Sequence, residues 1–290
     1  MSQTLLVFGL GYSARVLADR LMSAGWTVRA TARSDSKLEE LRASGIEAFH
    51  FDGTAPMPDI EAALAGASHL LLSVPPGAEG DPVLRLHGDD IAAHAGHIAW
   101  VGYLSTTGVY GDRAGGWVDE GSELVPATAR GRRRVEAEAD WCRLWRDAGL
   151  PIHLFRLAGI YGPGRNALET VRAGTARRVI KEGQVFSRIH VADIATVLEA
   201  SIARPNPGAA YNVCDDDPAP PQDVVTHACA LLGVEPPPGI PFEKAELSEM
   251  GRSFYAESKR VSNDRIKNEL GVSLAYPDYR AGLAALLAET

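Results

Sequence analysis

The chain is poor in cysteine, in surplus positive charge and in long apolar runs, and each shortage closes a class of function. Three cysteines in 290 residues, Cys142, Cys214 and Cys229, are too few and too scattered for a disulfide framework or a metal knuckle. A reducing, cytoplasmic compartment is the expectation. Lys and Arg number 29 against 37 Asp and Glu, a net charge of −8. A nucleic-acid backbone demands the opposite surplus, so no nucleic-acid partner is expected. No apolar run is long enough to span a bilayer, and Leu5 to Gly9 reads as a strand rather than as the core of a signal peptide, so no membrane partner is expected either. What remains, 46% hydrophobic and 23% charged residues, is the composition of a globular protein able to bury a large core.

The sequence is rich where a nucleotide loop needs it to be. The apolar run Leu5-Leu6-Val7-Phe8 meets Gly9-Leu10-Gly11-Tyr12-Ser13-Ala14, then the helical pattern Val16-Leu17-Ala18. Strand, loop and helix in that order form a phosphate site. One small residue makes the tight turn, a second lets the backbone approach a pyrophosphate, and a third allows close helix packing, while the helix N-terminus supplies positive potential. Gly9, Gly11 and Ala14 meet those three demands. The spacing alone is weak, and the strand before it and helix after it give it weight.

Strands and helices then alternate, which predicts an α/β fold with a parallel, doubly wound sheet. Strands are expected over Trp26 to Ala32, Ile46 to Phe51, His69 to Val74, Trp100 to Leu104 and Ile152 to Leu157. Helices are expected over Ser36 to Arg42, Ile60 to Leu64, Pro82 to His94 and Arg132 to Ala148. Beyond Gly164 glycine and proline become denser, notably in Ala203 to Ala209 and Asp217-Pro218-Ala219-Pro220-Pro221. The expected division is therefore a dinucleotide domain over residues 1–164 and a C-terminal region over 165–290, part of it returning to the sheet and part forming a small substrate lobe.

Three later segments carry a resemblance: Leu104-Ser105-Thr106-Thr107-Gly108-Val109-Tyr110-Gly111-Asp112, Phe155-Arg156-Leu157-Ala158-Gly159-Ile160-Tyr161-Gly162-Pro163-Gly164, and Arg188-Ile189-His190-Val191-Ala192-Asp193. With the N-terminal loop, and with Ala210 to Val213 and Lys259 to Asn263, the chain resembles the extended short-chain dehydrogenase/reductase superfamily, which includes nucleotide-sugar epimerases and dehydratases. The resemblance implies a Rossmann sheet, a C-terminal substrate region, a bound nicotinamide cofactor and often a homodimer made through two helices per subunit. It also implies a Ser or Thr, and a Tyr-x-x-x-Lys whose Tyr shuttles a proton while the Lys lowers its pKa and holds the ribose.

Thr106 matches the family's Ser or Thr. The Tyr and Lys positions hold Arg130 and Arg134 instead, in Ala129-Arg130-Gly131-Arg132-Arg133-Arg134. Arginine stays protonated, so Arg130 is no ordinary proton shuttle. Gly159 stands where the family has a polar Asn. These departures are similar to those of an atypical branch of the superfamily that keeps the glycine loop and lacks most of the catalytic set.

Cofactor contacts are expected from Gly9, Leu10, Gly11, Tyr12, Ser13 and Ala14, from Ser73, Val74 and Pro75 at the end of the fourth strand, and from Ser105, Arg134, Ala158, Gly159 and Ile160. The second strand closes on Arg33 and Ser34 with no acid at its tip, which favours NADP over NAD, since a free 2′-hydroxyl calls for a carboxylate and a 2′-phosphate for a cation. Asp52 and Gly53 are placed by the resemblance beside the adenine amine, or form a simple turn. The catalytic candidates are Thr106, Arg130, Arg134 and Tyr161. Thr106 orients a substrate oxygen or merely caps its strand. The arginines bind an anion, because positive charge at a helix start is otherwise unfavourable, or lie on a solvated face. Tyr161 faces the nicotinamide or packs beneath it. Tyr110 and His190 are weaker acid/base candidates, and His190 with Asp193 reads as a structural motif. Asp90, His94 and His97 share helical spacing but lack a further ligand, so no metal is expected. Two functions follow: an NADP-dependent oxidoreductase or epimerase acting on a small molecule, or a non-catalytic NADP(H)-binding sensor.

Overall fold

A computed structural model describes residues 3–289. The alternation read from the sequence is present as β1 (Thr4–Phe8), α1 (Tyr12–Ser23), β2 (Thr27–Ala32), α2 (Asp35–Ala43), β3 (Glu47–His50), α3 (Ile60–Leu64), β4 (His69–Leu72), α4 (Pro82–Ala93), β5 (Trp100–Thr106) and α5 (Ala129–Ala148). The strands Ile152–Leu157 and Ala210–Val213 complete a seven-stranded parallel sheet. Its order is Ala210–Val213, Ile152–Leu157, β5, β4, β1, β2, β3. The chain thus runs outward from β1 through β2 to β3, then returns to the other side of β1 with β4. That reversal makes the β1/β4 boundary the switch point where doubly wound sheets bind ligands.

Burial follows from the residues. Every residue of β1 and β4 is buried, as expected of central parallel strands covered on both faces. Leu5 pairs with Val28 on one side and His69 on the other. In α1 the buried positions are Ser13, Ala14, Leu17, Ala18 and Leu21, one stripe at helical spacing. Helix α5 starts at Ala129 rather than at the expected Arg132. Thr128 Oγ1 accepts a hydrogen bond from Gly131 N–H at 3.0 Å, so the cap lies upstream of the arginines and draws them into the first turns.

The chain forms two compact units. One comprises the chain up to Ser105, Arg132–Arg156 and Ala195–Tyr211; the other comprises Thr106–Gly131, Leu157–Ile194 and the chain from Asn212 onward. The division is made at several crossings rather than at one boundary near residue 165. The second unit holds three short parallel pairs: Gly159–Tyr161 with Arg188–His190, Arg178–Ile180 with Gly239–Pro241, and Trp117–Val118 with Arg260–Val261. Its own core gathers Leu168, Ala228, Tyr279, Leu283 and Leu286. Among the described residues no helix is long and apolar enough to cross a membrane.

Candidate dinucleotide site

The site begins where β1 ends. Gly9 has φ +84°, a conformation that side chains disfavour, and a Cβ there would stand 2.9 Å from Val74 Cγ2. Its N–H donates to Thr31 Oγ1 at 2.9 Å, and Gly11 N–H donates to Gly9 C=O at 2.8 Å. The first bond ties the loop to β2, and the second tightens the turn itself. Gly11 caps α1 without any side-chain hydrogen bond, and nothing lies within 4 Å of where its Cβ would be. A helix N-terminus with open space over its capping backbone fits a pyrophosphate. Ala14 is fully buried, the close packing asked of the third small residue.

Above this loop lies a cleft of about 890 Å³ contained in the first unit. Gly9, Leu10, Gly11, Arg33, Ser34, Asp52, Gly53, Ser73, Val74 and Pro75 all wall it. Tyr12, Ser13 and Ala14 form the first turn of α1 without walling the cleft. Sequence reasoning missed Lys37, the segment Gly77 to Gly80, Pro82 and Arg85, which wall it too. Lys37 had a legible signal. It lies one helical turn into α2 after its cap Ser34, whose Oγ accepts from Lys37 N–H at 3.4 Å. The Lys37 ammonium meets Glu40 at 2.6 Å.

Asp52 is a turn former. Its Oδ1 accepts from Thr54 N–H at 2.8 Å and from Thr54 Oγ1 at 2.7 Å. Those bonds hold its carboxyl below the usual range.

Five expected contacts are used otherwise. Ser105, 4% exposed, donates its hydroxyl to Glu138 Oε1 at 2.5 Å. Arg134 is buried, and its Nη1 donates to Leu104 C=O at 2.6 Å and to Tyr103 Oη at 3.0 Å. Arg134 therefore does not take the place of the family's ribose-holding Lys. A long guanidinium reaches the strand carbonyl and locks there, satisfying a buried acceptor that would otherwise be costly. Ala158 N–H donates to Val213 C=O, and Gly159 and Ile160 pair with Arg188 and Ile189 in the second unit. None of these positions walls the cleft.

The acid/base candidates fall in the second unit, and most are committed. Tyr161 is 8% exposed, its hydroxyl donates to Asp278 C=O at 3.3 Å, and its ring lies so close to Gly282 that a Cβ there would stand 2.1 Å from Tyr161 Oη. Burial pushes its pKa up. Tyr110 donates to Asn212 Oδ1 at 2.7 Å with its ring buried. His190 accepts from Ala192 N–H at 3.2 Å, and burial pushes its pKa down to about 4. Asp193 accepts from Ala275 N–H and Tyr276 N–H at 2.8 and 2.9 Å, tying its helix to the C-terminal segment.

Thr106 and Arg130 remain. Thr106 Oγ1 accepts from Gly108 N–H at 3.1 Å, the capping role, and keeps its own proton to donate. A Cβ on Gly131 would stand 2.9 Å from Gly108 C=O, so the start of α5 leans on the turn that Thr106 caps. Arg130 is exposed beside that contact. Among the described residues, no three His, Cys, Asp or Glu side chains gather as a metal site; His94 bonds instead to Asp90 C=O at 2.9 Å.

No family model matches the chain. Protein YeeZ of Escherichia coli K12 is 30% identical over 285 residues, covering 94% of this chain and 96% of that protein. A conserved protein of unknown function from Silicibacter pomeroyi shares 56% identity at a TM-score of 0.90, with 99% of both chains covered. A protein from Methylobacillus flagellatus, provisionally assigned as an NAD-dependent epimerase/dehydratase, shares 26% identity at a TM-score of 0.71, covering 99% of this chain and 98% of that one.

Proposed function

The chain belongs to the YeeZ-like branch of the extended short-chain dehydrogenases/reductases, and from that premise we propose an NADP(H)-binding protein of the epimerase/dehydratase type. In this reading it acts as an oxidoreductase or epimerase on a small anionic hydroxyl or carbonyl compound. The observation that carries it is the cleft walled by Gly9, Leu10 and Gly11 at the start of α1, with open space where a Cβ on Gly11 would stand. The NAD-dependent assignment of the Methylobacillus relative supports the same cofactor class. A bound nicotinamide would supply the hydride chemistry.

Arg33, Ser34 and Lys37 supply the preference for NADP. They wall the cleft at the tip of β2 and the start of α2 with no carboxylate at the strand end, a donor set suited to a 2′-phosphate. Thr106 donates its hydroxyl proton to a substrate oxygen, Arg130 holds the anionic group, and water carries the proton that no tyrosine is placed to move.

The commitments of Tyr161 and Arg134 favour a second reading, a non-catalytic NADP(H) sensor. Titration of the protein's fluorescence with NADPH and NADH tests the cofactor preference. NADPH should bind at least tenfold tighter, and the double variant Arg33→Ala/Lys37→Ala should erase the difference, about 1.4 kcal/mol or more. Equal binding of the two nucleotides by the wild type would contradict it. Oxidation of NADPH with a panel of small oxo acids, lost in Thr106→Ala, separates the enzyme from the sensor, which oxidises none.

A further inference from the structure

The cleft continues past the tip of β2 to an end walled by Phe51, Asp52 and Gly53 after β3, and by Pro82 and Arg85 of α4. Its two sides meet directly. Gly53 has φ +82°, and a Cβ there would stand 3.0 Å from Pro82 Cβ. Arg85 Nη2 donates to Gly53 C=O at 2.9 Å, and its Nε stands 4.0 Å from the Glu79 carboxylate. Gly53 and Glu79 both wall the cleft, so the guanidinium is laid along that wall between them.

Little else holds it. The Arg85 and Glu79 side chains are 37% and 82% exposed, and an ion pair that open and that long contributes almost nothing. The Asp52 carboxylate is already bonded to Thr54. Arg85 is left with a planar face and spare donors at the cleft wall.

The parts of a dinucleotide follow one another in a fixed order. With the pyrophosphate over Gly9–Gly11 and the ribose at Arg33 and Ser34, the next group outward is the flat, uncharged adenine. We propose that Arg85 is the base-holding residue of this cleft: its guanidinium lies on the adenine face, so that α4 as well as the strand-end loops recognises the nucleotide. The inference rests on the dinucleotide reading above. A guanidinium stacks on an aromatic plane in a way that an ammonium does not.

Calorimetric titration with NADPH and with adenosine 2′,5′-bisphosphate tests it. Arg85→Ala should weaken both ligands about tenfold with an unchanged melting temperature. Arg85→Lys, which keeps the charge without the plane, should recover only a small part of that loss. Wild-type affinity in Arg85→Ala would overturn the proposal, as would full recovery in Arg85→Lys, since charge alone would then suffice. A wild-type protein that binds neither ligand would instead bring down the dinucleotide reading, and the role of Arg85 with it.

Discussion

Glu138 takes three donors in a pocket closed to water: Ser105 Oγ at 2.5 Å, and Arg156 through Nε at 3.2 Å and Nη2 at 2.8 Å. One turn earlier, Arg134 reaches Leu104 C=O, so two side chains of α5 hold the last residues of β5 in place. Glu138 is 3% and Arg156 5% exposed, and a buried pair of this kind is most costly when only one partner goes, because the other charge stays behind. Glu138→Ala should therefore lower stability by about 3–5 kcal/mol, read from urea unfolding. Replacing Glu138 with Leu and Arg156 with Met together should recover most of the loss. A single variant within about 0.5 kcal/mol of wild type, the range of ordinary surface substitutions, would show that the network contributes no more than a surface pair. At this scale the sequence located Arg134 and Ser105 correctly in the chain but not in role. Register shows which residue stands in the family's position. It does not show that the side chain turns inward to a carbonyl rather than outward to a ligand.

Elements were legible where apolar runs were long. Leu5 to Phe8 and His69 to Leu72 are strands because nearly all their residues are apolar and bounded by loops, and each proved buried throughout. The strand Trp117–Val118 and its partner Arg260–Val261 have two residues each, too short for any period to register. The six-residue helices Ala167–Arg172 and Glu249–Phe254 are equally silent. The glycine loop, Arg33, Asp52 and Ser73 to Pro75 were readable because each directly follows a recognisable strand. Arg85 was not. It reaches the cleft only because α4 packs against the turn at Gly53, a meeting across the fold that no local pattern encodes.

Across the whole molecule, buried titratable groups set the response to pH. His69, His153 and His190 are 4%, 0% and 3% exposed, and burial pushes each down to about 4. His153 Nε2 accepts from Asn206 N–H at 2.9 Å, as a neutral ring must. Above pH 6.5 these rings are neutral in both folded and unfolded chains. As pH falls from about 6.5 to about 4 the unfolded chain binds protons that the folded one refuses, and each ring costs about 1.4 kcal/mol per pH unit. Asp215 acts in the opposite sense. Burial pushes it up to about 8, against the pull of Arg188, so it loses its proton on unfolding and contributes stability that declines as pH rises toward about 8. Stability should peak near pH 6.5, with an acid limb about as steep as two rings combined. Urea midpoints at pH 5, 6.5 and 8 check this, and equal midpoints at pH 5 and 6.5 would refute it.

The cleft above Gly9 to Gly11 is proposed as an NADP(H) site. A crystal structure of the protein grown with NADP⁺ is its most direct test. The account predicts the pyrophosphate on the Gly9–Gly11 backbone at the start of α1 and the 2′-phosphate against Arg33 and Lys37. A dinucleotide seated elsewhere, or a cleft left empty at saturating nucleotide, would contradict it.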